Sequence, residues 1–331
     1  MIKLISPEKG ANVVLLRDRH REYIADPIAD PEESRKIDWL NLKATGGDMS
    51  YPEPVVFSYE PAIDGEIILT REGGETRVIA AKAGRAEVTN LYIDACYRWY
   101  VKSGWMTSDT FTFHTDAQAP RMLYVDGISN VRDIGGFYTE DKKHRVKQGL
   151  LYRTSELDTH VQITEEGKRT MLEEMGVRTD VDIRGINNEP RCPVLDERRV
   201  KWINYPMAAY EEIFNPTQME LYRQSFELLA DRGVYPLIMH CWGGIDRTGC
   251  WLYILSGMLG VGADDLGLDY EMSSFSRWNR RNRNHPQFLG FLEKLHSYGE
   301  GTRGACEGFL RACGVSDDTM NTIRSILLEE V

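Results

Sequence analysis

One ten-residue stretch concentrates the side chains best suited to chemistry: His240-Cys241-Trp242-Gly243-Gly244-Ile245-Asp246-Arg247-Thr248-Gly249. It lies between an apolar run, YPLIMHC, and a helical one, RTGCWLYILSGMLG. A tight loop at such a junction exposes backbone N–H groups together with the positive end of a helix dipole, which makes it an anion cradle. Gly243 and Gly244 remove side chains that would block close approach, and Arg247 offers a planar, two-pronged donor matched to phosphate oxygens. Cys241 at the mouth shares that positive field, which favours the nucleophilic thiolate. Thr248 is suited to donate a hydrogen bond to the thiolate when it departs as a leaving group. The expected phosphate-binding set is therefore Trp242, Gly243, Gly244, Ile245 and Thr248, around Cys241 and Arg247.

Spacing alone does not carry this reading. The chain holds a second cysteine with an arginine six positions on, Cys192-Pro193-Val194-Leu195-Asp196-Glu197-Arg198. That copy has no glycine, carries two carboxylates that repel phosphate, and joins no buried strand to a helix, so Cys192→Ser is expected to be close to neutral. The seven histidines show no metal-ligand spacing, and neither metal nor cofactor is expected. Cys250 and Cys192 are read as inert buried thiols, ahead of a role in trapping oxidised Cys241 as a disulfide, and His240 as a residue that orients the loop.

The elements that must position this loop follow from the flanking pattern. TEEGKRTMLEEMG reads as an amphipathic helix capped by Thr164 and stopped at Gly176, VRTDVDIRG as a strand, MELYRQSFELLADRG as a helix and YPLIMHC as a buried strand. Alternating strands and helices predict an α/β domain over residues 118–331, with a mostly parallel central sheet flanked by helices. Before it, residues 1–117 read differently. VVFSY, GEIILTRE, TRVIAA, YRWYVKSG and TFTFHT are short β runs separated by Asp64-Gly65 and Gly73-Gly74 turns, the pattern of a small β-sandwich. Residues 17–50 are charged and broken by Pro27 and Pro31; they read as a surface insertion with a short helix before Trp39. The linker is placed at Asp116–Pro120.

Composition narrows the partners. The 331 residues carry 40 Lys and Arg against 51 Asp and Glu, a net charge of −11, the wrong sign for non-specific binding to nucleic acid or anionic lipid. No run approaches the roughly 20 apolar residues of a membrane span, and six scattered cysteines do not make a disulfide scaffold. A cytoplasmic protein is expected, with a secreted mature form left open.

HCWGGIDRTG resembles the signature loop of cysteine-dependent protein tyrosine phosphatases, in the bacterial branch whose loop reads Gly, any residue, Asp-Arg-Thr-Gly. Asn130-Val131-Arg132-Asp133-Ile134-Gly135-Gly136 resembles that branch's first motif and Gly149-Leu150-Leu151-Tyr152-Arg153-Thr154-Ser155 its next segment. Val181-Asp182-Ile183-Arg184, with Glu189, resembles the strand that follows. The resemblance spans about residues 125–331. Leu91–Val101 separately resembles the tyrosine corner and penultimate strand of fibronectin type III-like or immunoglobulin-like domains. Two departures stand out. Ile245 replaces the lysine that many members carry before the loop aspartate, which counts against multiply phosphorylated lipid or inositol substrates. No Trp-Pro-Asp acid loop is present, and Asn204–Glu212 offers Glu211 and Glu212 but no aspartate. The resemblance points to Asp246 as the general acid, with Glu211 or Glu212 in reserve. Arg132, Asp133 and Arg184 are read as a supporting ion-pair network behind the loop rather than as residues that touch substrate. The basic run Trp278–Asn284 reads as a solvated helix face first, with a phosphate-guiding role as the alternative.

The resulting expectation is a phosphomonoester hydrolase acting through a cysteinyl-phosphate, first on phosphotyrosine in protein or peptide. Dual specificity comes next, then a small phosphorylated metabolite or an inositol or lipid phosphate. The rivals are a catalytically silent phosphate-binding module and a sulfurtransferase. A protein partner is expected for the sandwich, and a fragment from residue 118 is expected to keep activity.

Overall fold

Burial that alternates residue by residue turns the first part of the chain into sheets: along Val55–Glu60, Val55, Phe57 and Tyr59 are buried while Val56 and Ser58 are half-covered. The computed structural model describes residues 1–25, 47–185, 192–278 and 281–331. One sheet joins β1 (Lys3–Ser6), β3 (Val55–Glu60) and β6 (Arg85–Val88) in the order β1-β3-β6. A second, in the order β2-β9-β7-β4-β5, joins β2 (Ala11–Val13), β4 (Gly65–Arg71), β5 (Thr76–Ala81), β7 (Cys96–Ser103) and β9 (Phe111–Thr115), with β8 (Met106–Thr107) paired to β7. The two sheets meet through rings: Phe57 of β3 lies 5.0 Å from Trp99 and 5.8 Å from Phe113, centroid to centroid. All five expected β runs are strands here; β1, β2 and β6 are additions too short to stand out in the sequence.

The chain packs as two compact units, residues 1–22 with 52–124, and residues 23–51 with 125–331. Each unit is thus discontinuous in sequence. The last crossing falls a few residues beyond the expected linker, at 124/125. A helix not foreseen, Asp18–Ala25, precedes the charged stretch, and the helix expected before Trp39 lies outside the described residues, as does Glu189.

After β10 (Arg121–Met122), the second unit contains β11 (Arg132–Asp133), β12 (His144–Val146), β13 (Leu151–Thr154), β14 (Thr179–Asp182), β15 (Lys201–Asn204), β16 (Leu237–His240) and β17 (Leu328–Glu330). Its main sheet runs β11-β13-β16-β14-β15, with β13, β16, β14 and β15 mutually parallel and β11 antiparallel to β13. Every residue of β13, β14 and β16 is buried, as a parallel sheet covered on both faces requires. The expected helices are present. Thr164 caps Glu165–Arg169 by accepting from Gly167 N–H at 3.1 Å, and Gly176 follows at φ +65°. The helix expected from Met219 starts earlier, at Pro216, because Asn215 caps it by accepting from Gln218 N–H at 2.9 Å. The helix Asp246–Leu259 is buried from Thr248 to its end and stops at Gly260, φ +101°. Among the described residues no helix is long and apolar enough to cross a membrane.

Candidate active site

Between the end of β16 at His240 and the start of the helix at Asp246, five residues turn the chain at the carboxyl edge of the parallel strands, where open α/β sheets bind their ligands. The turn's shape is set from outside, through its carbonyls. Cys241 O lies 3.2 Å from His240 Nδ1, Trp242 O accepts from Glu156 N–H at 2.8 Å, and Gly243 O accepts from Asn130 Nδ2 at 2.9 Å. Gly244 O accepts from Asn130 Nδ2 at 3.2 Å and from Arg153 Nη2 at 2.5 Å. With four successive carbonyls tied outward, the following N–H groups face the opposite, concave side. Gly244 is at φ +67°, and a Cβ there would stand 2.1 Å from Thr154 O, so only glycine fits.

Behind the carbonyls lies a buried ionic layer. Asp269 binds Arg132 Nε at 3.0 Å and also pairs with Arg153, and both guanidinium groups reach Ser273 Oγ. Burial pushes the Asp269 carboxyl up, but the two arginines outweigh it and hold the group below its ordinary range. Arg184 pairs with Asp182 at 2.8 Å and Asp158 at 2.6 Å. Asp133 accepts from Gly135 N–H at 2.8 Å and Gly149 N–H at 2.6 Å, closing a turn. His240 Nε2 stands 3.1 Å from Asp180 Oδ1. Burial disfavours a charged imidazole, yet Asp180 and Asp182 overcome it and raise the His240 pKa to about 9. Asp180 lies on one side of the ring and Cys241 O on the other.

On the concave side are Cys241, 3 % exposed, and Thr248, whose Oγ1 is buried with no hydrogen-bond partner among the described residues. Arg247 is half-buried, and no carboxylate among the described residues pairs with it. Asp246 is heavily engaged. Its carboxylate takes Arg281 Nε at 2.8 Å and Nη2 at 3.3 Å, and Tyr210 Oη–H donates to it as well. Tyr210 sits at φ +56° and lies 2.7 Å from Tyr270 Oη. The 204–212 stretch thus delivers a tyrosine to the loop rather than a glutamate. Glu211 and Glu212 are exposed, and Glu211 Oε1 lies against Gly290. The basic run is no solvated helix face either: Arg281 holds Asp246, and Arg283 pairs with the fully buried Glu271 at 3.0 Å. At the rim, Trp242, 37 % exposed, packs 4.4 Å from the His160 ring and 6.2 Å from Trp278.

Residues 123–329 match the tyrosine phosphatase family. The chain belongs to this family. It is 25% identical over 213 residues, 56% of this chain and 74% of the other, to a Cupriavidus necator protein provisionally named a tyrosine-protein phosphatase. Among solved structures, the core catalytic domain of the PP-IP phosphatase SIW14 from S. cerevisiae, in complex with citrate, is similar at 14% identity and TM-score 0.32, over 46% of this chain and 90% of that one. P. aeruginosa TpbA is similar at 18% identity and TM-score 0.34, over 52% and 90%.

In this phosphatase the second cysteine–arginine match is spent locally, as Arg198 pairs with Asp196 at 2.9 Å and holds its carboxyl down at about 2. Cys250 is fully buried, which pushes its thiol well up, and it accepts from Tyr210 N–H at 3.3 Å, whereas Cys192 is exposed rather than buried as expected, since it lies outside the strands and helices. Asp269, Tyr210 and the Arg281 contact carry no signal in the sequence; Tyr210, at φ +56°, lies in the stretch expected to offer the reserve acid.

Proposed function

We propose that this phosphatase hydrolyses aryl phosphomonoesters, phosphotyrosine in protein or peptide first among them, through a cysteinyl-phosphate on Cys241. The observation that carries this reading is the outward clamping of the 241–244 carbonyls, in a turn that also holds Cys241 and leads into a helix whose first turn carries Arg247 and the Thr248 hydroxyl, unpartnered among the described residues. The Cys241 thiolate attacks phosphorus, the P–O bond to the leaving group breaks, and the departing oxygen takes a proton. Water then attacks the phosphocysteine, gives up a proton, and Cys241 departs as thiolate with Thr248 donating to it. Trp242, Gly243, Gly244, Ile245 and Arg247 hold the equatorial oxygens. Asp246, the acidic residue within the loop, is assigned the proton transfers. Both its oxygens already receive donors in the free enzyme, so a proton held there displaces the Arg281 contact.

The aromatic rim of Trp242, Trp278 and His160 suits an aryl leaving group, and the buried Ile245 supplies no charge for additional phosphates. We further assign the first unit as a fibronectin type III-like or immunoglobulin-like sandwich that binds a protein partner. Tyr97 Oη accepts from Tyr92 N–H at 2.8 Å, in the manner of a tyrosine corner. A thiolate mechanism suits a reducing compartment, and the cytoplasm is assigned on that ground.

The test is acid quenching during turnover of an aryl phosphate. Wild type is expected to retain phosphate on Cys241, while Cys241→Ser neither turns over nor labels but still binds orthovanadate. Appreciable hydrolysis by Cys241→Ser overturns the covalent route. Thiosulfate-dependent sulfur transfer points instead to a sulfurtransferase, and anion binding by wild type without turnover to a silent module.

A further inference from the structure

The Asn130 clamp on the phosphate loop has its own support, from a part of the chain that no family motif covers. Asn130 is fully buried and left-handed, at φ +59°, and its side-chain amide spans Gly243 O and Gly244 O. Its backbone N–H donates to Ser50 Oγ at 2.8 Å. Ser50 is 2 % exposed and in turn donates its hydroxyl proton to Asp48 Oδ1 at 2.6 Å, the same oxygen that accepts from Ser50 N–H at 2.8 Å. That polarity matters. With its proton committed to Asp48, the Ser50 oxygen is left as an acceptor, the role Asn130 N–H demands. Next to it, Met49 N–H donates to Phe275 O at 2.9 Å, which anchors the segment two residues after Ser273, the hydroxyl shared by Arg132 and Arg153.

We infer that Ser50 is a positioning residue for the phosphate loop: acting through Asn130, it fixes the carbonyl orientation on which oxyanion binding depends, with Asp48 setting the direction of its hydrogen bond. The inference rests on the reading of residues 241–247 as that loop. On this inference a fragment from residue 118, expected to keep activity, lacks Ser50 and Asp48 and binds oxyanions more weakly than the full chain.

The experiment uses the full chain and two readouts: the inhibition constant of orthovanadate and the kcat and KM for an aryl phosphate, both measured well below the melting temperature. Ser50→Ala leaves the Asn130 N–H buried and unpaired, and is expected to weaken orthovanadate inhibition and lower kcat/KM in parallel, by about tenfold. Asp48→Asn keeps an acceptor oxygen and is expected to stay near wild type, whereas Asp48→Ala moves part of the way toward Ser50→Ala. Ile67→Val, buried in β4 of the first unit, is the control that lowers stability without touching the loop. If Ser50→Ala binds orthovanadate within twofold of wild type, the inference is overturned. If Ser50→Ala does not fold, Asp48→Ala decides by the same criterion. Failure of orthovanadate to inhibit the wild type overturns the loop reading itself, a result distinct from an unaffected Ser50→Ala.

Discussion

At the residue scale, the loop was legible because all its chemistry is local: cysteine, glycines, aspartate and arginine fall within ten consecutive positions. The residues that complete it were not, because their partners are remote in sequence. Tyr210 and Arg281 reach Asp246 across 36 and 35 residues, and Ser50 reaches Asn130 across 80. Nothing in a single sequence marks such pairs. The assignment of Asp246 to proton transfer makes a graded prediction. Asp246→Asn is expected to slow turnover increasingly as the leaving-group pKa rises, within the roughly 10²–10⁴-fold range of acid–base catalysis. Arg247→Lys is expected to slow all substrates alike, since its contacts are to the phosphate. A series of aryl phosphates assayed on both variants, with Glu211→Gln and Glu212→Gln alongside, checks this. A steepened dependence in a glutamate variant alone would move the acid to the 210–214 turn and leave Asp246 to hold Arg281 and Tyr210.

At the element scale, most of what was foreseen came from periodicity and caps. Thr164, Gly176 and the apolar run before His240 marked their elements, while short strands such as β11 and β12 were invisible because two or three residues carry no period. The junction between β16 and the helix Asp246–Leu259 supports two expectations. Gly244→Ala forces a side chain into a left-handed position against Thr154 O, and is expected to reduce activity by more than about a hundredfold and to destabilise by roughly 1–3 kcal/mol. Enzyme assay and chemical denaturation measure the two effects. His240 gives a pH signature. Its pKa in the folded protein, about 9, exceeds its ordinary value of 6.5, so its pairing with Asp180 stabilises fully below pH 6.5 and is lost as pH rises toward 9. The melting temperature of wild type is therefore expected to fall relative to that of His240→Gln across this interval, by roughly a few degrees. Parallel curves for the two proteins would show that His240 is neutral when folded.

At the scale of the whole molecule, an α/β unit and a β-rich stretch were both readable from texture, but their interleaving was not. Charge and proline made residues 17–50 look like a surface insertion, since burial of His20, Tyr23 and Ser50, among its described residues, leaves no trace in composition. The crossings after residues 22, 51 and 124 impose an order of events during synthesis. A ribosome adding roughly 5–20 residues per second makes Ser50 some 80 residues, hence on the order of four to sixteen seconds, before Asn130. The loop follows another 113 residues after Asn130, and Arg281 later still. The first unit is fully synthesised while Ser50 still awaits Asn130 and Met49 still awaits Phe275. On the proposed reading of residues 241–247, anion affinity is acquired late: chains stalled before residue 241 are expected to lack the loop and to escape capture on an immobilised oxyanion, whereas released chains are retained.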